Sequence, residues 1–319
     1  MEAELAWYDY GNCLLKFYFM FKPVLIFLSL FCLSCNNPIT DSKNAMESDK
    51  LVEEPENVKV HILPPNLVEI SGISFLDNDS FLAIQDEEGI LYEYNLKEKQ
   101  IVKEFEFGEP NDYEDLVRVG KDVYIVISNG TVIQIRNFQS ANPVIREFKT
   151  PLKKKNDIEG LAYEPNKNRL LLAAKEKGMD DDENTKEIYA FDLKTMALQT
   201  APAYSIRLNE IEEYFEGDAI VENSKKFLKA IGNQNMSKVF KSSALTVHPK
   251  TNYIYVLSSI NNLIAVLDTS GKLDKIIQFE GKEYTQPEGI AFTEDGKLYV
   301  SNEGGKNGRG NIIELEYEN

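Results

Sequence analysis

A short pattern occurs five times in this chain and constrains its fold more than any other feature. Successive copies lie 43, 45, 84 and 45 residues apart. Internal repeats of this length are typical of propeller blades and of helical arrays, so the repeat restricts the fold to these two architectures. The copies align on Gly72, Asp115, Gly160, Ala244 and Gly289.

Two further runs rich in β-branched and aromatic residues follow each copy. The second runs are 81–84, 123–127, 170–173, 253–257 and 298–300. The third runs are 91–94, 132–135, 188–191, 263–267 and 312–315. Between the first and second runs, four copies have the Asn, Asp, Gly and Pro residues that tight turns require. Three strands joined by turns at this period predict an all-β protein, a β-propeller, and not an α-solenoid.

The interval of 84 residues leaves the number of blades open, because it is close to two repeat lengths. Within it, segments 208–215 and 221–229 have apolar residues at helix-compatible spacing and many charges. We therefore predict five blades with a short helical insertion around residues 205–240, and six blades as the alternative. Residues 58–63 should add the outer strand to the last blade, which otherwise shows three strands and an open edge.

The first 57 residues are predicted to serve in targeting and tethering and to lie outside the propeller domain, which spans residues 58–319. Residues 21–35 contain one basic residue, a short apolar run and a final cysteine, as in a signal peptide too short to span a bilayer comfortably. An uncleaved membrane anchor is the alternative. Acidic residues precede this signal, so within the leader at 1–35 we expect translation to begin at Met20. Residues 36–57 are polar and acidic and predict a disordered tether.

Cys35 follows Leu33 and Ser34 and so resembles the modified cysteine of a bacterial lipobox, although Cys32 stands where that pattern usually has Leu. This resemblance implies lipidation of Cys35 and attachment to a membrane. Asn36 is not the Asp that signals inner-membrane retention in enterobacteria. We therefore expect an exported outer-membrane lipoprotein, on the periplasmic or the surface side.

The charge of the chain restricts its partners. The formal net charge is −17 and the isoelectric point is about 4.7. Nucleic acids require a basic surface, so the sequence predicts no nucleic-acid binding. An acidic surface instead attracts cations.

Carboxylates recur where the innermost strands of a propeller converge on the central channel. The residue before each aligned position is glutamate in three copies and serine in two, and Glu69 lies two residues before the first serine. A second set of polar residues follows the second strands, and hairpin geometry should bring it to the same face. The glutamates of both sets are Glu114, Glu159, Glu288, Glu69, Glu87, Glu176 and Glu303.

Carboxylates crowded around one channel must be protonated, paired with a base or neutralised by a bound cation. Oxygen ligands with no histidine or cysteine nearby suit Ca²⁺ better than zinc or copper. We therefore predict a channel Ca²⁺ site formed from these seven glutamates. The alternative is that each glutamate caps backbone amides at a blade junction and serves only the fold.

Six short segments resemble the SdiA-regulated (YjiK-like) family of bacterial envelope propellers, which is distantly related to NHL-repeat proteins. The resemblance covers nearly all of residues 58–319 and implies a propeller with a channel Ca²⁺ site but no established activity. Asp115 and Ala244 stand where the family pattern favours Gly, which puts two blade junctions in question. The matching segments are 69–73, 114–116, 158–162, 174–176, 245–249 and 287–291.

Three functions remain open from the sequence. We favour a binding or scaffold lipoprotein with channel Ca²⁺, whose partner is an unidentified protein or small molecule. The second is a Ca²⁺-dependent lactone or ester hydrolase, as in related six-bladed propellers. His61 and His248 are predicted to lie away from the channel, so Glu176 or Glu303 would be its base. The third is a metal-free platform for other proteins.

Overall fold

The strands form five four-stranded antiparallel sheets in the part of the chain that the structure describes. This computed structural model describes residues 58–77, 79–214, 240–279, 281–305 and 308–315. The sheets are the blades of a propeller, so the predicted five-bladed fold is confirmed and the six-bladed alternative is wrong.

The strands are numbered along the chain, and the first belongs to the last blade. This strand is β1 Val58–Ile62. Blade 1 contains β2 Ile70–Asp77, β3 Ser80–Gln85, β4 Ile90–Asn95 and β5 Gln100–Glu106. Blade 2 contains β6 Tyr113–Val119, β7 Asp122–Ile127, β8 Val132–Arg136 and β9 Val144–Phe148. Blade 3 contains β10 Ile158–Glu164, β11 Arg169–Ala174, β12 Thr185–Asp192 and β13 Ala197–Arg207.

The last two blades complete the ring. Blade 4 contains β14 Ser242–Val247, β15 Ile254–Ser258, β16 Leu263–Leu267 and β17 Leu273–Gln278. Blade 5 contains β18 Pro287–Phe292, β19 Leu298–Asn302 and β20 Asn311–Leu315. Strand β1 pairs antiparallel with β20, with Val60 opposite Ile313. The predicted closure by residues 58–63 is therefore confirmed, and it covers the open edge of β20.

The core lies between the blades. Five hydrophobic clusters are present, and each joins residues of two neighbouring blades. Inner strands are covered on both faces, so β3 and β15 are buried along their whole length. The outermost strands β5 and β9 are largely exposed. This gradient explains why the inner strands are almost continuously apolar and the outer ones are not.

A short helix, α1 Leu208–Tyr214, follows blade 3 inside the predicted insertion. Its Ile211 is buried in the cluster between blades 3 and 4. The second helix-compatible segment, 221–229, lies outside the described residues. Residues 1–57, with the predicted signal, tether and Cys35, also lie outside them, and those assignments stay predictions. No helix among the described residues has the length and apolar character needed to cross a membrane.

The innermost strands of neighbouring blades touch closely, which accounts for the glycines of the repeat. A Cβ atom on Gly72 would lie 2.8 Å from Asp115 Cα in blade 2. One on Gly289 would lie 3.0 Å from the carbonyl oxygen of Ser71 in blade 1. The junctions at Asp115 and Ala244, which the family resemblance put in question, are formed: β6 and β14 both lie against the innermost strands on either side.

Candidate metal centre

A β-bulge interrupts every innermost strand directly before the aligned position. An extra residue in a strand is left unpaired and bends the strand, and bulges of this kind often direct a side chain into a site. Because all five bulges occupy the same place in the repeat, they present their residues to one end of the channel. We call this end the acidic mouth. The bulged residues are Ser71, Glu114, Glu159, Ser243 and Glu288.

The residues after the second strands fold back against this end, as hairpin geometry predicted. The amide of Lys175 donates to the carbonyl of Asp157 at 2.7 Å. The amide of Glu303 donates to the carbonyl of Gln286 at 2.9 Å. Equivalent bonds form in blades 1 and 2. Both sets of polar residues therefore lie on the same face.

Three carboxylates meet between blades 2 and 3. Glu114, Asp157 and Glu159 each offer an oxygen, and these oxygens all lie within 4.8 Å of one another. Glu159 is only 6% exposed, and its Oε2 atom has no hydrogen-bond partner among the described residues. Oxygens on opposite sides of a Ca²⁺ ion are about 5 Å apart, because each bond is about 2.3–2.6 Å long. These three residues therefore fit a hard divalent cation.

An internal cation already contacts this cluster. The Lys175 ammonium donates to Oε1 of Glu159. Burial by itself lowers the pKa of Lys175, but Glu159, Glu288 and Asp157 outweigh burial and raise it. The buried Lys186 fixes the backbone of the loop that carries Lys175. Its Nζ donates to the carbonyl oxygens of Lys175 at 2.7 Å and Glu176 at 3.2 Å.

One lysine does not neutralise the acidic mouth, and the carboxyl groups resist ionisation. Burial and the neighbouring Glu159 raise the pKa of Glu114 to about 9. The same two causes raise the pKa of Glu288 to about 8. Burial also raises the pKa of Glu159 to about 7, although Lys175 opposes the shift. A further positive charge nearby would stabilise the ionised form of each of these carboxyl groups.

The remaining predicted ligands do not join the three-carboxylate cluster. Glu176 pairs with Lys241 of blade 4. Glu303 accepts a hydrogen bond from Gln286, and burial followed by Asp86 raises its pKa. Glu69 and Glu87 are exposed. Of the predicted ligands, Glu114 and Glu159 therefore lie together, and Glu288 lies close enough to Glu159 for the charge of Glu159 to raise its pKa.

Sequence reasoning missed Asp157 as a member of the carboxylate cluster and Lys241 as a counter-ion of Glu176. Both lie two residues before a bulged position, as Glu69 does in blade 1. Residues two apart on a strand project to the same face. Extending the rule that selected Glu69 to every blade would have found both. Asp157 has a left-handed φ of 54°, which no motif indicated.

Asp115 lies within the ring, immediately after the bulge of blade 2. Its Oδ1 accepts the amide of Leu116 at 2.8 Å, and its Oδ2 accepts the amide of Leu161 in blade 3 at 2.7 Å. The Leu245 amide of blade 4 also stabilises its charged form, while burial raises its pKa. Its carboxylate thus links three blades and separates the acidic mouth from the far end of the channel.

The comparison with protein families matches the SdiA-regulated family over residues 57–305. The chain belongs to the SdiA-regulated family. The resemblance seen in the sequence is therefore confirmed over most of the chain. No curated protein matches the sequence significantly.

Solved structures similar to this SdiA-regulated protein are β-propellers of low sequence identity. A streptogramin B lyase is 12% identical and has a TM-score of 0.45, with 82% of this chain and 98% of the other covered. Glutaminyl cyclase from Myxococcus xanthus is 13% identical and has a TM-score of 0.49, with 81% and 94% covered. At these values the likenesses carry no argument about chemistry.

Proposed function

We propose that this SdiA-regulated protein is an envelope-anchored binding lipoprotein whose acidic mouth holds Ca²⁺. One observation carries the proposal: Oε2 of the buried Glu159 has no hydrogen-bond partner in the described part of the chain, and this side chain lies against Glu114 and Asp157. An unpaired buried carboxylate oxygen is costly, and a cation removes that cost. The position at the channel end supports a module that presents the ion to a protein or small-molecule partner.

In this proposal Glu114, Asp157 and Glu159 bind the ion, and Glu288 contributes charge. The cation supplies Lewis acidity to an oxygen-bearing partner. Lys175 holds Glu159 until the ion binds, and Lys186 fixes the loop from which Lys175 extends. These roles need no histidine. Both described histidines, 5% and 1% exposed, are buried in the blades.

Calcium titration of the full-length protein, purified in EDTA, tests the proposal. Calorimetry should detect Ca²⁺ binding, and Glu159→Gln should abolish it. At about 100 times its dissociation constant, Ca²⁺ should stabilise the fold by about 2.7 kcal/mol. Glu104→Gln, an exposed change on β5, is the matched control and should bind normally. Absence of binding to a folded wild-type protein would contradict the proposal, as would unchanged binding by Glu159→Gln.

A Ca²⁺-dependent lactone or ester hydrolase is the second candidate, and the carboxyl pKa values favour it. Groups that titrate between about 7 and 9, as Glu159, Glu288 and Glu114 do, can exchange protons near neutral pH. Glu176 is a weaker candidate base than the sequence suggested, because Lys241 holds it in an ion pair. Calcium-dependent turnover of a lactone and aryl-ester panel, lost in Glu159→Gln, would favour this candidate over pure binding.

A further inference from the structure

A cavity opens at the end of the channel opposite the acidic mouth. It has a volume of about 290 Å³ and is lined by residues of all five blades. The lining residues come from the second halves of the innermost strands and from the turns that follow them, beyond the bulges and beyond Asp115. We call it the far cavity. Nothing in its lining belongs to the candidate metal centre.

Most of the side chains that line the far cavity are apolar, and polar atoms share its accessible surface with them. One buried aliphatic residue from each blade, directly after the aligned position, forms its inner part: Ile73, Leu116, Leu161, Leu245 and Ile290. Closer to the opening, Phe75, Tyr163 and Val247 are half-buried and leave part of their side chains accessible. A cavity with accessible aromatic walls and several polar groups is suited to a molecule with an apolar body and a polar end.

One basic residue, Arg118, lines this cavity. Its Nη1 donates to the carbonyl of Leu76 at 2.9 Å, and its Nε donates to the carbonyl of Gly120 at 3.0 Å. Carbonyl oxygens orient the guanidinium but do not neutralise it, and no ion pair of Arg118 occurs within the described residues. Its Nη2 group makes no hydrogen bond there either, so a guanidinium edge is left for an anionic ligand.

Three of the lining hydroxyls, those of Ser74, Tyr163 and Thr293, are engaged within the protein, and Thr246 adds a further hydroxyl to the lining. Ser74 accepts the amide of Arg118 at 3.0 Å, and Thr293 bonds within its own turn. The one acidic lining residue, Glu294, is exposed. Asp115 stands between the far cavity and the carboxylates of the acidic mouth, and its charge is engaged by backbone amides.

We propose that the far cavity binds a small carboxylic acid with an apolar body, aliphatic or aromatic. The apolar body lies against the five buried aliphatic residues and the aromatic wall. The carboxylate accepts hydrogen bonds from Arg118. This site is independent of the cation proposed for the acidic mouth, so it stands whether or not Ca²⁺ binds.

Titration of the full-length protein in EDTA with octanoate, 3-phenylpropionate and the neutral octanamide tests this assignment. Concentrations stay below those at which octanoate forms micelles. Octanoate or 3-phenylpropionate should bind, and octanoate should bind at least about tenfold more tightly than octanamide, because only the acid forms a charge-assisted hydrogen bond. Preference for the aliphatic or the aromatic acid identifies the apolar body. Equal affinity for octanoate and octanamide would overturn the role of Arg118, and no binding of either acid would overturn the site.

Two variants and their controls locate the binding. Arg118→Met should weaken octanoate binding at least about tenfold and leave octanamide unchanged. Its control, Arg136→Met, removes an exposed arginine at the end of β8. Val247→Trp should fill the cavity and abolish binding of both compounds, whereas Val102→Trp on the exposed face of β5 should not. Circular dichroism confirms that each variant is folded. Unchanged octanoate binding by folded Val247→Trp would overturn the proposal.

Discussion

The carboxylate of Asp115 in blade 2 accepts the backbone amide of Leu161 in blade 3 at an Oδ2–N distance of 2.7 Å. Its other oxygen accepts the amide of Leu116. In the neighbouring blade, Gly72 leaves the space that Asp115 occupies, since a Cβ there would lie 2.6 Å from Oδ1. An acidic residue thus replaces the glycine of the repeat and joins the blades through their backbones.

Asp115→Ala should destabilise the fold by about 3 kcal/mol, because each buried amide left without an acceptor costs about 1–3 kcal/mol. Asp115→Asn keeps one acceptor oxygen and should lose less. Denaturant unfolding measures both, with Asp274→Ala, a change at an exposed residue of β17, as the control. A loss for Asp115→Ala no larger than that of the control would show that the inter-blade bonds contribute little.

Lys175→Met should lower stability in EDTA and increase affinity for Ca²⁺. Without the ammonium group, the buried Glu159 loses its ion-pair partner and keeps only the more distant charge of Lys241, so its ionised form is destabilised. The same loss removes the internal competitor for a divalent cation. Thermal unfolding and calorimetry measure the two effects. Lys177→Met, which breaks an exposed pair with Glu183, should change neither. Weaker Ca²⁺ binding by Lys175→Met would contradict the inference that Lys175 competes with Ca²⁺ for Glu159.

Stability in EDTA should fall as the pH rises from 5 to 7. The folded pKa values of Glu159, Glu288 and Glu114 lie near 7, 8 and 9, above the ordinary value of 4.5. The stability that their protonated forms contribute is complete below about pH 4.5 and is lost as the pH rises through the folded values. The loss is about 1.4 kcal/mol per pH unit for each proton.

Calcium and charge-removing variants distinguish this pH effect from repulsion among the other negative charges of the protein. Saturating Ca²⁺ should flatten the dependence, because the ion neutralises the carboxylates. The double variant Glu114→Gln, Glu288→Gln should reduce the dependence in EDTA and leave the contribution of Glu159, since glutamine resembles the protonated acid. Chemical unfolding at pH 5, 6 and 7 is the measurement. Stability that does not change over this range in EDTA would show that other groups of the protein already stabilise the ionised carboxylates.

Removal of β1 should open the ring. A chain that begins at Pro64 lacks the strand that pairs with β20, so the edge of β20 becomes available to other chains. We expect lower thermal stability and concentration-dependent association in size-exclusion chromatography. A chain that begins at Asn57 keeps β1 and should stay folded and monodisperse. Equal behaviour of the two chains would show that closure by β1 is dispensable.

The predicted lipid anchor at Cys35 has a direct test. Cells expressing the full-length protein should incorporate radiolabelled palmitate into it, and the protein should fractionate with the outer membrane. Cys35→Ser should abolish both results, whereas Cys32→Ser should leave labelling unchanged. Labelling that persists in Cys35→Ser would place the modification elsewhere, and absence of labelling in the wild type would contradict the lipoprotein prediction.

The sequence by itself determined the propeller and its closure, and it restricted the number of blades to five or six. These properties are repeated along the chain, and repeated spacing of apolar runs and turns specifies local strands and hairpins. The β1–β20 pairing followed because the last repeat lacked one strand. The sequence also indicated which end of the channel collects glutamates, because each bulged residue has a fixed place in the repeat.

Only the tertiary structure decided which of those residues act together. Glu114 belongs to blade 2, whereas Asp157 and Glu159 belong to blade 3, so the distance of Glu114 from the other two depends on how the blades pack. Pairing of Glu176 with Lys241 crosses 65 residues of sequence and no spacing rule reports it. The far cavity likewise depends on how the blades pack. Its five lining strands are ordinary repeats in sequence, and ring closure alone brings their ends around one space.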